Sequence, residues 1–97
     1  MFPIGKYIVL RSEAAGVHLG VLDAYDPVTR HALLKDTRRI YRWDVAFTLS
    51  AVALNGIPSG KLSVTIPTNI VAGVIELTPC SEEAEKILRE FVAYAAE

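Results

Sequence analysis

The prediction of the fold depends most on the segment Arg30–Trp43, whose sequence is RHALLKDTRRIYRW. It contains two short extended runs that are separated by Asp36 and Thr37. Two further runs of alternating or β-branched residues precede it. The strands predicted up to this point are Tyr7–Leu10, Val17–Tyr25, Arg30–Lys35 and Arg38–Trp43. Four short strands in about forty residues predict an antiparallel meander that curls into a small barrel-like sheet.

Two helices are predicted after this stretch. In Val45–Asn55 the apolar residues fall at three- and four-residue spacings, which is typical of a short helix. Asp44 is the expected N-cap of this helix, and Gly56 follows Asn55 as its terminator. The second helix is expected to begin after Ser81 as N-cap, and its apolar stripe extends to Ala95.

Two more strands are predicted between the helices. Gly60–Ile66 alternates polar and apolar residues, which indicates a strand with one solvated face that ends at Pro67. Ile70–Leu77 is more continuously apolar and is expected to be more centrally buried. The sequence therefore predicts one α+β domain. Its core is a strongly bent antiparallel sheet of about six strands, with one short middle helix and one C-terminal helix.

Composition excludes several classes of function. Ten Lys and Arg against eleven Asp and Glu give a formal charge of −1, so no basic field is expected to hold nucleic acid in bulk. The single Cys80 cannot close an intrachain disulfide, and two histidines do not complete a zinc framework, which indicates an intracellular chain without metal. No apolar run reaches the roughly 18 residues of a membrane helix. A hydrophobic content of 52% in so short a chain favours self-association.

The basic segment Arg38–Trp43 is a candidate ligand site. An extended strand places Arg39, Tyr41 and Trp43 on one face, so that a guanidinium group lies next to aromatic rings. Guanidinium groups bind phosphate and aromatic faces stack on bases, which favours a nucleotide-sized ligand. The alternative is that the aromatic residues belong to the core and the arginines are solvated or form cation–π contacts.

Other polar residues give weaker indications. The turn from Ser12 to Gly16 is either a backbone nest that binds an anion or a plain hairpin loop. His18 and His31 each lack a nucleophile at a spacing that would argue for a catalytic triad. Cys80 follows a proline and has no cationic neighbour in sequence, so it is expected to be inert. The sequence therefore predicts no enzyme, no catalytic residue, no metal and no cofactor.

The order of segments resembles a family of small phage proteins. The resemblance lies in Gly5–Arg11, the pattern Ser12-x-x-Ala15-Gly16-Val17-His18-x-Gly20, Thr37–Trp43, Thr48–Ser50 and Ile75–Ser81. On these segments the chain is similar to the phage anti-Thoeris sponges, which sequester cyclic ADP-ribose signals and, in some relatives, cyclic oligonucleotides. The resemblance implies a decorated WW-like sheet, assembly as homo-oligomers (dimers or hexamers), and ligands held between protomers without cleavage in the host bacterial cytoplasm.

The resemblance also implies a set of ligand-binding residues. Arginines are expected on the phosphates and the indole against a base. The implied residues are Arg11, Ser12, Ala15, Gly16, Val17, His18, Arg38, Arg39, Trp43 and Thr48. The alternative function is a small phage structural or interaction protein that uses the Arg/Trp strand as a protein contact.

Overall fold

The computed structural model describes residues 1–44 and 48–94. Within them the chain forms six strands and two helices, as predicted. The elements in chain order are β1 (Tyr7–Ser12), β2 (Gly16–Asp26), β3 (His31–Asp44), α1 (Leu49–Asn55), β4 (Ser59–Leu62), β5 (Ile66–Val71), β6 (Val74–Pro79) and α2 (Glu82–Glu90). Neither of the described helices has the length and apolar character needed to cross a membrane.

The six strands form one antiparallel sheet, which confirms the predicted antiparallel arrangement and the predicted pairing of the first two strands. Its order is β4-β3-β2-β1-β6, and β5 pairs with the same edge of β3 as β4. β5 and β6 are consecutive in the chain but lie at opposite ends of the sheet. The turn between them binds the end of β1, where Ser12 Oγ donates to Ala72 O at 2.7 Å and Glu13 N donates to Gly73 O at 3.0 Å. The sheet is therefore strongly bent but not closed.

The bent sheet separates two hydrophobic clusters. One lies between the sheet and the two helices and includes Val9, Leu19, Ile40, Val52 and Leu88. The other lies on the opposite face and includes Ile8, Leu10, Leu22, Leu34 and Val71. Consecutive residues of β1 therefore point into different clusters, as the two-residue period of a strand requires. This arrangement explains why β1 is buried at five of its six positions.

β3 is one strand of 14 residues and not the two predicted strands. The expected break at Asp36 is a bulge, because Asp36 takes the left-handed conformation (φ 47°) while the register with β2 shifts between Leu19 and Val21. The strands stay close at this point because Gly20 has no side chain. A Cβ atom on Gly20 would lie 2.9 Å from Cβ of Thr37. The chain therefore continues through the bulge without reversing.

The predicted strand Gly60–Ile66 is also wrong in extent. β4 ends at Leu62, and Ile66 is the first residue of β5. Pro67 lies inside β5 and does not end a strand. Proline is tolerated there because β5 is an edge strand, and Pro67 falls between the residues that pair with Thr37 and Lys35 of β3.

The predicted strand Ile70–Leu77 is divided into parts of β5 and β6. Gly73, at φ 65°, forms the turn between them, and the two halves pair with different strands. The expectation of central burial was wrong as well. Ile70 is 68% exposed and Ile75 is 47% exposed, because both strands lie at ends of the sheet.

The first helix has a different N-cap from the predicted one. Thr48 Oγ1 accepts a hydrogen bond from the backbone N–H of Ala51 at 3.1 Å, whereas Asp44 is the last residue of β3. The expected start at Val45 lies outside the described residues. At the other end the prediction is confirmed, because Gly56 follows Asn55 at φ 71° and donates its N–H to Val52 O.

The second helix begins as predicted and ends early. Ser81 Oγ accepts from the N–H of Ala84 at 3.0 Å and donates to Leu54 O at 2.7 Å, so it caps α2 and ties it to α1. α2 ends at Glu90, and Phe91 is extended. The last residue of the predicted apolar stripe, Ala95, lies outside the described residues.

Candidate functional site

A cavity of about 160 Å³ opens where β2, β3, β5 and the connection between β4 and β5 meet. Its polar lining includes His18 from β2, Arg39 from β3 and Asn69 from β5. Its apolar lining includes Tyr41 and Ile66, which are 56% and 41% exposed. The cavity therefore combines a cation, an imidazole and an amide with an apolar rim.

Two hydroxyl groups in the cavity wall are already engaged. Thr37 Oγ1 donates to Leu19 O at 2.7 Å. Ser63 Oγ donates to Val64 O at 3.0 Å and accepts the backbone N–H of Arg39 at 2.8 Å. These hydroxyls hold β3 to its neighbours on both sides, and they have little capacity left for a ligand.

Arg38 lines the cavity but acts mainly as a structural cation. It is only 4% exposed, and its Nε donates to Ser63 O at 2.9 Å. Its Nη1 donates to Leu88 O at 2.9 Å and to Phe91 O at 2.7 Å, at the C-terminal end of α2. Carbonyl groups at that end are otherwise unpaired and carry partial negative charge, which a cation stabilises. Burial lowers the pKa of Arg38, and these carbonyl contacts compensate the buried charge.

Arg39 is the exposed cation of the cavity. It forms no ion pair with any carboxylate in the described parts of the chain. Its guanidinium carbon lies 5.6 Å from the centre of the Tyr41 ring, a cation–π contact that confirms the predicted placement of these two residues on one face. The guanidinium group also lies close to Gly16, where an added Cβ atom would be 2.8 Å from Nη2. Arg39 therefore lies beside Tyr41 and Gly16 and has no anionic partner among residues 1–44 and 48–94.

His18 lies directly opposite Arg39 in the β2–β3 pairing and is 6% exposed. Its Nε2 is 2.9 Å from Ala15 O. A carbonyl oxygen only accepts hydrogen bonds, so Nε2 carries the proton and Nδ1 of the neutral ring is an acceptor. Burial lowers the pKa of His18, and the nearby Arg39 lowers it further, although the bond to Ala15 opposes this change.

The turn from Ser12 to Gly16 does not form an open anion-binding nest. Ser12 Oγ accepts the backbone N–H groups of Ala14 and Ala15, at 3.3 and 3.0 Å, and donates to Ala72 O. The N–H groups on which the nest hypothesis depended are therefore satisfied within the protein. The turn does not line the cavity, but it positions two residues that do. The carbonyl group of Ala15 orients His18, and Gly16 leaves space for Arg39.

Of the ten expected ligand residues, only His18, Arg38 and Arg39 line the cavity. Besides the turn residues Ser12, Ala15 and Gly16, four others do not line it. Trp43 packs against the cluster under the helices, because the bulge between Ile40 and Arg42 in the pairing with β4 interrupts the alternation of β3. Val17 packs on the same cluster, and Thr48 caps α1. Arg11 is exposed on β1 and is not among the residues that line the cavity.

Sequence reasoning did not predict five of the residues that line the cavity, which are Thr37, Ser63, Val64, Ile66 and Asn69. Tyr41 was considered as an aromatic neighbour of the arginines but was not included among the ligand residues. β5 and its preceding connection reach the cavity only because the chain folds back along β3. No local pattern in the sequence indicates that β5 folds back along β3. The strand boundaries predicted in this region were therefore also wrong.

Substitution of Gly16 tests whether the absence of a side chain at this position is needed to place the guanidinium group of Arg39. Gly16→Ala is expected to cost about 1 kcal/mol of stability, because φ is +82°. It should also displace the guanidinium group, since the new Cβ would lie 2.8 Å from Arg39 Nη2. Gly5→Ala is the matched control, because its φ is +83° with no atom within 4 Å. Both variants should lose a similar free energy of unfolding, but only Gly16→Ala should bind anions more weakly than the wild-type protein. Equal anion binding by the two variants would contradict this role of Gly16.

The buried neutral His18 predicts a pH-dependent stability. Its pKa is lower in the folded chain than the ordinary value of 6.5, so the unfolded chain binds more protons between these two values. The free energy of unfolding should therefore fall as the pH drops below about 6.5 and level off below the folded-state pKa. His18→Gln should reduce this slope, while replacement of the exposed His31 by Gln should retain it. Denaturant titrations at several pH values provide the measurement.

The protein is a small α+β domain with a bent antiparallel sheet, and a cavity at the surface of this sheet presents the guanidinium group of Arg39 beside the ring of Tyr41. The chain belongs to the family described as Domain of unknown function (DUF6948), whose model matches residues 5–88 and so includes all six strands and most of α2. No curated protein matches the chain.

Proposed function

We propose that this protein sequesters a cyclic nucleotide signal of bacterial defence without cleaving it, as a phage anti-defence sponge in the host bacterial cytoplasm. The observation that supports the proposal is the guanidinium group of Arg39, which lies at the cavity beside Gly16 and the exposed Tyr41 ring and forms no ion pair within the described parts of the chain. The guanidinium group would bind a phosphate, and the ring offers a surface on which a base can stack.

The size of the cavity bears on how a ligand would be held. About 160 Å³ is below the roughly 300–1,000 Å³ of typical small-molecule sites. The cavity suits a phosphate with its sugar, while the base would lie outside against Tyr41 and Ile66. We propose that a second copy of the chain covers this outer part, in a dimer or hexamer, because both rim side chains are substantially exposed.

The chemistry of the cavity favours binding over turnover. The hydroxyl groups of Thr37 and Ser63 are engaged with backbone carbonyls. The thiol of Cys80 is not among the cavity residues, and burial raises its pKa to about 12, so it is protonated at neutral pH. These groups offer no activated nucleophile to a bound phosphodiester, which supports stoichiometric capture.

Calorimetry combined with recovery of the ligand tests the proposal. The protein is titrated with cyclic ADP-ribose isomers and with cyclic dinucleotides, and the bound ligand is then released by heat and weighed by mass spectrometry. Binding of at least one signal near nanomolar affinity, about −12 kcal/mol, is expected, with its mass unchanged. Absence of heat with every compound, or recovery of an altered nucleotide, would refute the proposed function.

The alternative function is a structural or interaction protein that uses this part of β3 as a protein contact. It is favoured by the exposure of Tyr41, Ile66 and Ile70 on neighbouring strands β3 and β5. Under this alternative, Arg39→Ala should weaken a protein complex, and wild-type protein should show no nucleotide binding. The calorimetric experiment therefore separates the two functions.

A further inference from the structure

The arrangement of His18 and Arg39 indicates which class of nucleotide the cavity binds, a point that the proposed function does not specify. The two residues are directly opposite each other on β2 and β3, and both side chains line the same cavity. Opposite side chains on one face of a sheet have Cβ atoms about 5 Å apart. Because both side chains line this small cavity, a ligand with its anion on Arg39 has further atoms within reach of His18.

His18 requires a different ligand group from the one that Arg39 binds. Because Nε2 donates to Ala15 O, the other ring nitrogen, Nδ1, is a lone-pair acceptor with no partner among the described residues. A phosphate oxygen at this nitrogen would be repelled, because both atoms would present lone pairs and neither would carry a proton to share. The group next to the anion must therefore be a hydrogen-bond donor.

In a nucleotide, the donor closest to a phosphate is a ribose hydroxyl on the adjacent carbon. A phosphodiester on the 3′ oxygen has the 2′ hydroxyl beside it, whereas the phosphates of cyclic ADP-ribose are attached to 5′ carbons, whose neighbouring carbon carries no hydroxyl. The donor groups of a base lie farther from the phosphate. A cavity of about 160 Å³ also favours phosphate and sugar over a whole nucleotide.

We infer that the site recognises a 3′-linked ribonucleotide phosphodiester, with the phosphate on Arg39 and the adjacent 2′ hydroxyl donating to Nδ1 of His18. This inference rests on the proposed function and names the ligand class of the same site. It makes the site selective for ribose over deoxyribose at that position. His18 is then a specificity-determining residue with no role in proton transfer.

Matched probes test the inference by calorimetry on the intact wild-type protein. The probes are 3′,5′-linked cyclic di-AMP, its 2′-deoxy analogue, its 2′-fluoro analogue and cyclic ADP-ribose. Loss of the hydroxyl leaves the imidazole acceptor unpaired, so roughly 10- to 100-fold weaker binding of both analogues is expected. The fluoro analogue is the sharper control, because it nearly preserves size but cannot donate a hydrogen bond. Cyclic ADP-ribose should also bind more weakly than cyclic di-AMP.

Each outcome has a defined meaning. Equal affinity for cyclic di-AMP and either analogue overturns the inference and leaves capture of nucleotides intact. Tight binding of cyclic ADP-ribose without binding of cyclic di-AMP does the same. Binding of none of the four probes overturns both the inference and the proposed function for these ligands. Among variants that keep the wild-type circular dichroism spectrum, His18→Phe should lose the preference for ribose, while His18→Gln, which offers both an N–H and a carbonyl oxygen, should keep it.

Discussion

Arg38→Met is expected to destabilise the protein by about 3 kcal/mol, a large part of the roughly 5–15 kcal/mol that holds a domain folded. The substitution removes the donors for the carbonyl groups of Ser63, Leu88 and Phe91. A buried carbonyl without a donor costs about 1–3 kcal/mol, and the C-terminal end of α2 also loses a stabilising cation. Relief of the buried charge offsets part of this cost.

Arg42→Met is the matched control for that measurement. Arg42 lies on the same strand, but its side chain is 55% exposed and its contact is an ion pair with Asp44 at 3.2 Å. Such a pair contributes about 1 kcal/mol or less. Urea titrations followed by circular dichroism should show a large fall in midpoint only for Arg38→Met. Similar midpoints for the two variants would mean that the contacts of Arg38 to α2 do not stabilise the fold.

Arg39→Met is expected to have the opposite profile, with nearly normal stability and about 100-fold weaker nucleotide binding. The side chain is exposed and forms no ion pair in the described parts of the chain, so little stability depends on its charge. A guanidinium group on phosphate contributes about 1.5–3 kcal/mol through charge-assisted hydrogen bonds. Methionine keeps an apolar stem near Tyr41 and removes only the charged donors.

The control is again Arg42→Met, which removes the same charge from the same strand. If Arg39 contacts the ligand, Arg42→Met should leave the calorimetric affinity almost unchanged, because exposed charges at a distance are screened by salt. Equal weakening by the two substitutions would show that the ligand responds to the general charge of the strand. It would argue against a specific phosphate contact at Arg39.

The sequence predicted the α+β class because its signals are local. Alternation of apolar residues indicates strands, and Ser81 followed by acidic residues indicates a helix start. The strand boundaries were predicted less well in the second half of the chain. There the pairing partner decides where a strand ends, as the turn at Gly73 and the position of Pro67 within β5 demonstrate.

The candidate site was predicted in part. Arg39 was assigned to a face with Tyr41, and both line the cavity together with His18. Trp43 was expected on that face as well, but the bulge beyond Ile40 turns it toward the helices. A bulge depends on how two strands match along their whole length, so the two-residue period alone could not reveal it.

The amino-acid sequence was sufficient to predict the antiparallel sheet, the cap of α2 and the approximate position of the basic segment, because each follows from the spacing of neighbouring residues. The different roles of Arg38 and Arg39 are visible only in the folded structure. Adjacent residues of a strand face opposite sides, so Arg38 meets the carbonyl end of a helix that is distant in sequence, while Arg39 remains at an open cavity. Arg38 is held by carbonyl groups that are 25 to 53 residues away in the sequence. Arg39 lies beside Gly16 and His18 of the neighbouring strand, so the surroundings of both residues form only when the chain folds.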